Sequence, residues 1–479
     1  MTKKLFCLFA AVAVFTMCTP SAVPQDQAPD TQDPTEEEPS KEEPTVDPED
    51  LEPFSFSVEY DSPDNIFTSN PVFKLHLENP NKVATTATIT LNISTDMNKK
   101  VSAVSLEKEV EAGGSVTLDM TPEEVLAPGF YRARGKVDSK YYLPSLSFGV
   151  SPEKIEYDMS DLKDDFNSYW DSAIAELEKV DMSPRLVEIT SRSSSARKVY
   201  FVELKSVANG PGTEPETIHG YYIEPQDGKK HPVIMHYEGY DTQPPYGAIP
   251  KMYCPSGGSS AEFAEFYVST RGQMINARTS DLRSDGIQED FANTYGDWFA
   301  FDFGKLDSYY YRGAFMDCVQ CIRFMATRET SDMENVFAEG KSQGGAFSYA
   351  AAALSPYPLR AIAPGVAFLG DFPEYFNIVS WPGDTAKSSA KAAGMSTDEM
   401  YAFLSYFDTK NLATRIPEGT SVIANMGLQD GTCPPRTNQA PFNTVITTDK
   451  EMHVYPKMGH DIPSGWDTKI TAFFRARIK

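Results

Sequence analysis

The sequence contains one serine in a setting typical of an activated nucleophile. Ser342 lies between Gly340 and Gly344 and completes the pattern Gly-x-Ser-x-Gly. Residues 335–339, before the motif, are typical of a strand, and residues 345–354, after it, favour a helix. Small residues at the glycine positions allow a cramped strand-to-helix turn that exposes the hydroxyl of the serine. The motif therefore predicts that Ser342 is a nucleophile for acyl transfer.

A general base for this serine is expected among the six histidines of the chain. In one large class of serine hydrolases, the nucleophile is followed along the chain by an acid and then by a histidine. Four histidines precede the serine, namely His76, His219, His231 and His236. His453 lies inside a strand-like run and is expected to pack there. His460 follows that run on a loop and is therefore the predicted base.

The acid of the predicted site should lie just after the preceding strand. Residues 422–426 form a strand-like run that leads into a loop containing Asp430. A solvated loop acid is the alternative for any single aspartate, but the position and order favour Asp430. In the resulting triad, His460 takes the proton of Ser342, while Asp430 orients the imidazole and stabilises its charge.

Two backbone amides are candidates for binding the oxyanion of a tetrahedral intermediate. The N–H group of Gln343 directly follows the nucleophile, which is the usual position of one donor. The other donor should follow an earlier strand, and residues 231–237 form such a strand shortly before Tyr240. The N–H group of Tyr240 is the predicted second donor, and its side chain is expected to shape the acyl pocket.

Strand-like and helix-like segments alternate after residue 155. Residues 161–180 have the apolar periodicity of an amphipathic helix. The strand-like runs are residues 231–237, 266–270, 335–339, 422–426 and 452–455, and helix-like runs follow most of them. This alternation predicts a mostly parallel sheet with helices on both faces. Together with the serine motif, it indicates an α/β-hydrolase fold over residues 155–479.

The preceding block, residues 54–152, has a different pattern. Apolar and polar residues alternate over short runs that are separated by turn residues. The predicted strands are residues 72–77, 87–93, 115–120, 130–137 and 146–150. Several short strands within about 100 residues favour a small all-β, immunoglobulin-like sandwich. The sequence of this block contains no apparent catalytic constellation.

The N-terminal segment predicts export and a tether. Residues 1–18 combine two lysines with an apolar run too short to cross a bilayer, which is typical of a secretory signal. We interpret Cys18 as the lipid-bearing cysteine of a bacterial lipoprotein, and an ordinary cleaved signal is the alternative. Residues 19–53 combine regularly spaced prolines with acidic side chains, so they predict an extended, disordered spacer. The expected location is the periplasm or cell surface.

The charge of the chain is concentrated in this spacer. The 479 residues carry a formal charge of −25, and residues 24–52 hold twelve acidic residues against one lysine. The acidity therefore says little about the substrate. Hydrophobic residues make up 41% of the chain, which excludes wholesale disorder, and the acidic balance excludes a basic surface for nucleic acid.

Cys318 and Cys321 have the spacing Cys-x-x-Cys within a run of helical apolar periodicity at residues 311–328. A redox pair would require this spacing at the start of a helix in a thioredoxin-like unit. The surrounding apolar pattern instead favours two buried thiols that pack as small hydrophobic residues.

Several segments together resemble the acetyl xylan esterase and cephalosporin C deacetylase family, carbohydrate esterase family 7. The matching segments are residues 166–170, 238–240, 271–273, 309–313, 340–344, 404–408 and 430–435. The combination of Gly-x-Ser-Gln-Gly, Arg-Gly-Gln at residues 271–273 and a late histidine carries the resemblance most specifically. It covers residues 160–479, about two thirds of the chain, and leaves the sandwich and the tether unexplained.

The resemblance implies the removal of acetyl groups from acetylated sugars and short xylo-oligosaccharides by a serine mechanism without a metal or other cofactor. It assigns the triad to Ser342, Asp430 and His460, and the oxyanion amides to Tyr240 and Gln343. It also implies assembly into a hexamer, so a homo-oligomer is a natural expectation. The additional N-terminal domain of this chain, residues 54–152, is large enough to block or alter the packing of subunits in such a hexamer.

The resemblance further implies that Arg271 and Gln273 support the site from a neighbouring loop. For Arg271, direct contact with substrate and pairing with a nearby carboxylate to hold the loop are equal alternatives. Two positions depart from the family. Asp461 replaces a glutamate after the catalytic histidine, which is a conservative change. Glu238 replaces a histidine beside the oxyanion loop, where a carboxylate would repel developing negative charge. We therefore expect Glu238 to be ion-paired or to face away from the pocket.

These observations favour a secreted serine carboxylesterase that deacetylates acetylated oligosaccharides. A broad esterase for short acyl groups, or a related serine hydrolase such as a peptidase, is the alternative within the same chemistry. A glycan-binding surface lipoprotein with an impaired hydrolase domain is the alternative from another class. The intact serine, aspartate and histidine argue against that last alternative. The expected partners are sugars, with no nucleic acid, and the membrane is reached only through the lipid anchor.

Overall fold

The computed structural model describes residues 51–240, 262–273, 275–276, 290–291 and 294–479. The predicted export signal, Cys18 and residues 19–50 of the predicted tether lie outside the described residues. Residues 52–479 form one compact unit. None of the helices in the described part of the chain combines the length and apolar character that a bilayer crossing requires.

The N-terminal part of this unit consists of strands. They are β1 (Ser55–Glu59), β2 (Ile66–Phe67), β3 (Phe73–Glu78), β4 (Thr85–Thr95), β5 (Lys100–Val110), β6 (Ser115–Met120), β7 (Gly129–Val137) and β8 (Lys140–Val150). One sheet has the order β1-β3-β6 and the other has the order β2-β8-β7-β4-β5. We call these two sheets the sandwich.

The alternating pattern of strand β3 shows why these segments form sheets. Phe73, Leu75 and Leu77 are fully buried in a core shared by both sheets, while Lys74 and Glu78 are exposed. Side chains of period two place apolar residues on the inner face and polar residues in solvent. The five predicted strands are all present, and β1, β2 and β5 are additional.

The C-terminal part is built on a nine-stranded sheet. Its strands are β9 (Arg185–Glu188), β10 (Arg197–Ala208), β11 (Pro215–Pro225), β12 (His231–Tyr237), β13 (Ala264–Ser269), β16 (Ser331–Lys341), β17 (Ala361–Gly365), β18 (Ser421–Gly427) and β19 (Lys450–Tyr455). A separate short pair is β14 (Ile275–Asn276) with β15 (Asp290–Phe291). The order of the large sheet is β19-β18-β17-β16-β12-β13-β11-β10-β9. Neighbours from β19 to β13 run parallel, and those from β13 to β9 run antiparallel.

Helices cover both faces of this sheet. The described helices are α1 (Phe166–Glu178), α2 (Tyr310–Ala326), α3 (Gln343–Leu354), α4 (Phe372–Ile378), α5 (Gly383–Ala392), α6 (Thr397–Leu404), α7 (Thr409–Ala413), α8 (Pro435–Thr444) and α9 (Trp466–Arg475). Helices α1, α2 and α3 pack with Val233 and Met235 on one face. Helix α9 packs with Ile234 and Phe337 on the other face. The predicted α/β fold with helices on both faces is confirmed.

The two cysteines of the Cys-x-x-Cys spacing lie in the middle of helix α2. Cys318 and Cys321 are free and fully buried in the large core. Burial raises the pKa of each thiol well above its usual range. A thiol with a raised pKa is a poor nucleophile, so the prediction that both cysteines pack as small hydrophobic residues is confirmed.

Candidate active site

Ser342 lies at the sharp turn between strand β16 and helix α3. Its backbone dihedral angles are φ 58° and ψ −118°, which L-residues rarely adopt. Two backbone hydrogen bonds hold it there. The N–H of Ser342 donates to the carbonyl of Gly365 at 2.9 Å, and the N–H of Phe368 donates to the carbonyl of Ser342 at 3.0 Å. The serine side chain is thereby fixed at the edge of the sheet, and the residue remains partly exposed.

The two glycines of the motif permit this turn because the backbone is closely packed around them. A Cβ atom on Gly340 would lie 2.4 Å from the carbonyl carbon of Gly344. A Cβ atom on Gly344 would lie 2.1 Å from the carbonyl oxygen of Tyr237, on strand β12. Both distances are far below van der Waals contact, and both involve backbone atoms. The Gly-x-Ser-x-Gly spacing is therefore a steric requirement of the turn.

The predicted acid and base are in direct contact. Nδ1 of His460 lies 2.8 Å from Oδ2 of Asp430. Oδ1 of Asp430 accepts hydrogen bonds from the backbone N–H groups of Thr432 and Cys433, each at 2.8 Å. The carboxylate is therefore held from both sides and is 1% exposed, while the imidazole is 22% exposed. This arrangement fixes the tautomer of His460 and leaves the other nitrogen available for proton transfer.

Ser342 meets the loop of the acid through Cys433. The thiol of Cys433 is buried, lies beside the side chain of Ser342 and is 3.8 Å from the hydroxyl of Tyr375. Burial, followed by the charge of Asp430, raises the pKa of this thiol, so it is a neutral neighbour of the serine. Residues next to the serine and the histidine are also joined, because Nζ of Lys341 lies 3.1 Å from Oδ1 of Asp461. The structure thus brings the nucleophile loop, the acid loop and the histidine loop together.

The two predicted oxyanion donors have different surroundings. Gln343 is the first residue of helix α3, where a backbone N–H has no acceptor within the helix. Its buried side chain accepts a hydrogen bond from the hydroxyl of Tyr311 at 2.9 Å. Tyr240 follows strand β12, and its hydroxyl donates to Oδ1 of Asp297 at 2.9 Å. Both residues are therefore anchored by their side chains, and the role of their N–H groups as oxyanion donors stays a prediction.

An aromatic corner surrounds Tyr240. The ring of Tyr240 lies 4.8 Å from that of Trp298, 5.2 Å from Trp381 and 6.3 Å from Phe368. Trp381 stacks on Phe368 at 5.4 Å and is 37% exposed. Phe368 also donates its N–H to the carbonyl of Ser342, so this corner borders the nucleophile. Neither Phe368 nor Trp381 is predictable from the sequence, because no motif links either residue to the serine.

Arg271 is a buried structural residue in this geometry. Its guanidinium and its backbone N–H donate to the carboxylate of Asp317 at 2.7–2.9 Å, and Nη2 of the guanidinium also donates to the carbonyl of Val207 at 3.0 Å. Burial opposes the charge of Arg271, but the carboxylate of Asp317 holds its pKa above the usual range. Because the side chain is 1% exposed, the structure favours the role of holding the loop over contact with substrate.

Gln273 connects this loop to the oxyanion loop. Its Nε2 donates to the carbonyl of Gly239 at 3.3 Å, and its Oε1 accepts from the N–H of Thr270 at 2.9 Å. Gly239 directly precedes Tyr240. Gln273 therefore fixes the backbone next to the second predicted oxyanion donor, which agrees with a supporting role.

Comparison with known proteins identifies the family. The family model described as acetyl xylan esterase (AXE1) matches residues 152–477, about two thirds of the chain. The chain belongs to the acetyl xylan esterase family. It is accordingly a carboxylic ester hydrolase, as the sequence predicted.

Among curated proteins, the acetyl esterase Axe7A of Xylanibacter ruminicola is 26% identical over 385 residues, with 78% of each chain covered. This coverage exceeds what residues 152–477 provide, so the similarity extends into the N-terminal region.

Two solved structures share the fold. The acetyl xylan esterase from Paenibacillus sp. R4 aligns with a TM-score of 0.56 and 24% identity, covering 68% of this chain and 98% of that one. Acetyl xylan esterase 1 from Thermoanaerobacterium sp. JW/SL YS485 aligns with a TM-score of 0.52 and 26% identity, covering 68% of this chain and 100% of that one.

The two positions that depart from the family pattern have different environments. Asp461 is exposed and forms the ion pair with Lys341 described above. Glu238 is partly exposed, and its backbone carbonyl lies close to Gly344, since a Cβ atom there would be 3.2 Å away. The expectation that the carboxylate of Glu238 is ion-paired or turned from the pocket stays a prediction.

Proposed function

We propose that this acetyl xylan esterase family member removes acetyl groups from acetylated oligosaccharides through a triad of Ser342, His460 and Asp430. His460 takes the proton of Ser342 as the hydroxyl attacks the acetyl carbonyl. The negative charge of the tetrahedral intermediate is bound by the N–H groups of Gln343 and Tyr240. The intermediate collapses to an acetyl-serine, and His460 returns its proton to the departing sugar oxygen. Water activated by the same imidazole then releases acetate and restores the serine.

The contact of 2.8 Å between Asp430 and His460 carries this proposal. A buried aspartate that holds one nitrogen of a partly exposed histidine has a specific chemical use, which is to stabilise the imidazolium formed during proton transfer. The strained backbone of Ser342 gives independent support, because strain of this kind is found mainly at functional sites. A catalytically impaired glycan-binding protein would have no need to retain either feature.

The aromatic corner supports an apolar contact with the acyl group. Tyr240, Phe368 and Trp381 form an apolar surface beside Ser342, which suits the methyl group of an acetyl ester. Trp381, which is partly exposed, also offers a face on which a sugar ring stacks.

Acetate release from acetylated xylo-oligosaccharides and from p-nitrophenyl acetate tests the proposal. In the Ser342→Ala variant we expect kcat/KM to fall by about 10⁴ or more on both substrates, because the nucleophile is lost. Ser348→Ala is a matched control, since Ser348 lies in helix α3 and donates to the carbonyl of Gly344. Equal activity of Ser342→Ala and wild type would refute the triad. A p-nitrophenyl ester series of increasing acyl length separates an acetylesterase from a broad short-chain esterase.

We further propose that the protein is exported and anchored to a bacterial membrane through a lipid on Cys18. The basic start, the short apolar run and the acidic spacer of the sequence support this location. Metabolic labelling with a palmitate analogue should mark the wild type and leave Cys18→Ala unlabelled. Equal labelling of both proteins would exclude this cysteine as the anchor. Assembly into a homo-oligomer is proposed from the family resemblance, and light scattering of the purified protein tests it.

A further inference from the structure

The sandwich packs directly against the loop that carries the catalytic acid. Phe130, on strand β7, shares a small buried cluster with Met426 and Leu428, at the end of strand β18. The hydroxyl of Ser147, on strand β8, donates to Oε1 of Gln429 at 3.3 Å. Gln429 is the residue before Asp430. One wall of the acid loop is therefore supplied by the N-terminal sheets.

A cleft of about 190 Å³ opens at this junction. The lining residues from the sandwich include Asp96, Arg132, Arg134 and Ser145, and those from the acid loop include Gln429 and Gly431. The acid loop thus lies against both the cleft and the proposed nucleophile. Its residues 428–431 line the cleft, while Cys433, three residues after Asp430, lies beside the side chain of Ser342.

The cleft presents hydrogen-bonding groups that the fold itself does not use. Asp96 is 7% exposed, and its Oδ2 has no hydrogen-bond partner in the described part of the chain. Burial raises the pKa of Asp96 to about 6, while the charge of Arg436 acts in the opposite direction. Buried polar atoms are nearly always paired in native proteins, so an unpaired carboxylate oxygen beside a cleft suggests a ligand.

Two arginines add donors to the same cleft. Arg132 is exposed, and its Nη1 donates to Oδ1 of Asn98 at 3.2 Å, which fixes its direction. Arg134 is exposed two residues along strand β7, and among the described residues its guanidinium has no hydrogen-bond or ionic partner. The hydroxyl of Ser145 lies on the neighbouring strand. Each guanidinium carries five N–H donors, and the carboxylate of Asp96 is an acceptor beside them. Together they can bind a ligand with several hydroxyl groups, since a hydroxyl both accepts and donates hydrogen bonds.

We propose that this cleft binds a sugar unit of the acetylated substrate, beyond the residue whose acetyl group is at Ser342. The inference rests on the proposed deacetylase function, and it assigns the sandwich to substrate binding. The polar lining disfavours an acyl chain. The volume is smaller than that of pockets for drug-sized ligands, about 300–1,000 Å³, and is suited to a single ring. Carboxylated and neutral sugar units both carry hydroxyl groups that this polar lining can bind. Substrates with and without a uronic acid branch distinguish the two.

Selectivity for glycans over a small ester tests the proposal. The measured quantity is kcat/KM for acetylated xylotriose divided by kcat/KM for p-nitrophenyl acetate. In Arg134→Gln we expect this ratio to fall about tenfold, the usual effect of losing one charge-assisted hydrogen bond. Lys140→Gln is the matched control, because it removes a positive charge from an exposed residue of the same sheet, outside the cleft. A larger fall with xylotriose that carries a uronic acid branch would show that the cleft selects carboxylated units.

A second variant and a binding measurement make the test independent of a single arginine. Ser145→Trp should fill the cleft and lower the same ratio, while Ser139→Trp, in the exposed hairpin turn, should leave it unchanged. Titration of Ser342→Ala with acetylated xylotriose should show weaker binding when Arg134→Gln is added. If neither the ratio nor the binding changes while Ser342→Ala is inactive, the cleft proposal is wrong and the triad stands. If Ser342→Ala remains active, the proposed function itself fails.

Discussion

At the residue scale, the reactivity of Ser342 depends on the backbone that holds it. The residue has a positive φ, and its turn is closed by hydrogen bonds to Gly365 and Phe368. This backbone fixes the direction of the Cα–Cβ bond of Ser342. The proposed nucleophile is therefore positioned by its own turn before any substrate arrives, which lowers the entropy cost of attack.

Gly344→Ala should disrupt this turn. The added methyl group would lie 2.1 Å from the carbonyl oxygen of Tyr237, so strand β12 and helix α3 must separate. Overpacking of this kind costs about 1–3 kcal/mol of stability, and a misplacement of about 1 Å costs about 10²-fold in rate. Thermal unfolding and p-nitrophenyl acetate hydrolysis measure the two effects. Gly419→Ala is the control, because a Cβ atom at that position meets no atom within 4 Å. A Gly344→Ala enzyme that is as active and as stable as the wild type would contradict the steric argument.

Asp430→Asn should inactivate the enzyme without unfolding it. The amide oxygen retains the hydrogen bonds from Thr432 and Cys433, but the amide nitrogen now donates to Nδ1 of His460. This donation favours the wrong tautomer, and the comparable change in serine proteases lowers kcat by about 10⁴. Asp461→Asn is the matched control, since that carboxylate is 72% exposed and contacts Lys341 only at the surface. If the two variants lost activity equally, Asp430 would have no special role.

Residue identities in the site were predictable wherever chain order and local pattern were sufficient. Ser342 was indicated by its glycines, His460 by elimination among six histidines, and Asp430 by its place after a strand. Side chains that act through long-range contacts were not predictable. Asp317, which pairs with Arg271, lies 46 positions away on helix α2, and nothing in its own neighbourhood marks it as a partner.

At the element scale, the proposed triad follows from the direction of three strands. Strands β16, β18 and β19 run parallel in one sheet, with β17 between β16 and β18. Their carboxyl ends therefore lie at the same edge, and the loops after them carry the serine, the acid and the histidine. The order of the three residues along the chain reflects the order of these strands. This edge of a parallel sheet is where α/β proteins generally bind ligands.

Sequence patterns did not reveal the central parallel strand β17 or the antiparallel extension of the sheet. Strands β9, β10 and β11 continue the sheet beyond β13, and the first two follow directly after helix α1. Their segments mix polar and apolar residues and contain charged residues such as Lys198 and Glu203. Without a clear period of two, pairing across the sheet determines their structure, and a single sequence does not show that pairing.

A buried charge cluster joins three central strands and predicts pH-dependent stability. His236, on strand β12, lies between Glu339 of β16 at 2.6 Å and Glu265 of β13 at 3.0 Å, with Tyr267 stacked on its ring. Burial alone would lower the pKa of His236, but hydrogen bonds to both carboxylates raise it to about 9. The folded state thus binds the proton more tightly than the unfolded state, whose histidine has a pKa of about 6.5. The stabilisation is complete below about pH 6.5 and is lost as the pH rises through 9.

Urea unfolding at about pH 6.5 and about pH 9.5 measures this effect. The free energy of unfolding should fall by roughly 2–3 kcal/mol over that interval, according to the linkage between pKa and stability. His236→Gln should be less stable and should lose most of the pH dependence. His453→Gln, which alters a partly exposed histidine on the edge strand β19, should keep it. A wild-type stability that is flat or rises between the two pH values would contradict the assignment.

At the scale of the whole molecule, residues 24–52 carry a net charge of −11, and residues 53–479, which are nearly fifteen times longer, carry −16. Residues 24–52 account for much of the charge and have the composition of a spacer. Residues 52–479 form the compact unit in which the sandwich contacts the acid loop. The sequence predicted two structural types but not this contact, because neither block contains a pattern that identifies its partner. Similarity to Axe7A that extends beyond residues 152–477 is consistent with a functional role for the N-terminal strands.

The contact predicts that the sandwich and the hydrolase sheet unfold together. Phe130→Ala removes a buried ring that packs with Met426 and Leu428, and such truncations cost about 3–5 kcal/mol. Because strand β18 leads directly into the acid loop, kcat should fall as well. Calorimetry should show one transition that moves to lower temperature as a whole. Val125→Ala, at a residue that is 91% exposed in the sandwich, should change neither quantity. Two separate transitions, of which only one responds to Phe130→Ala, would show that the sandwich is an independent appendage of the esterase.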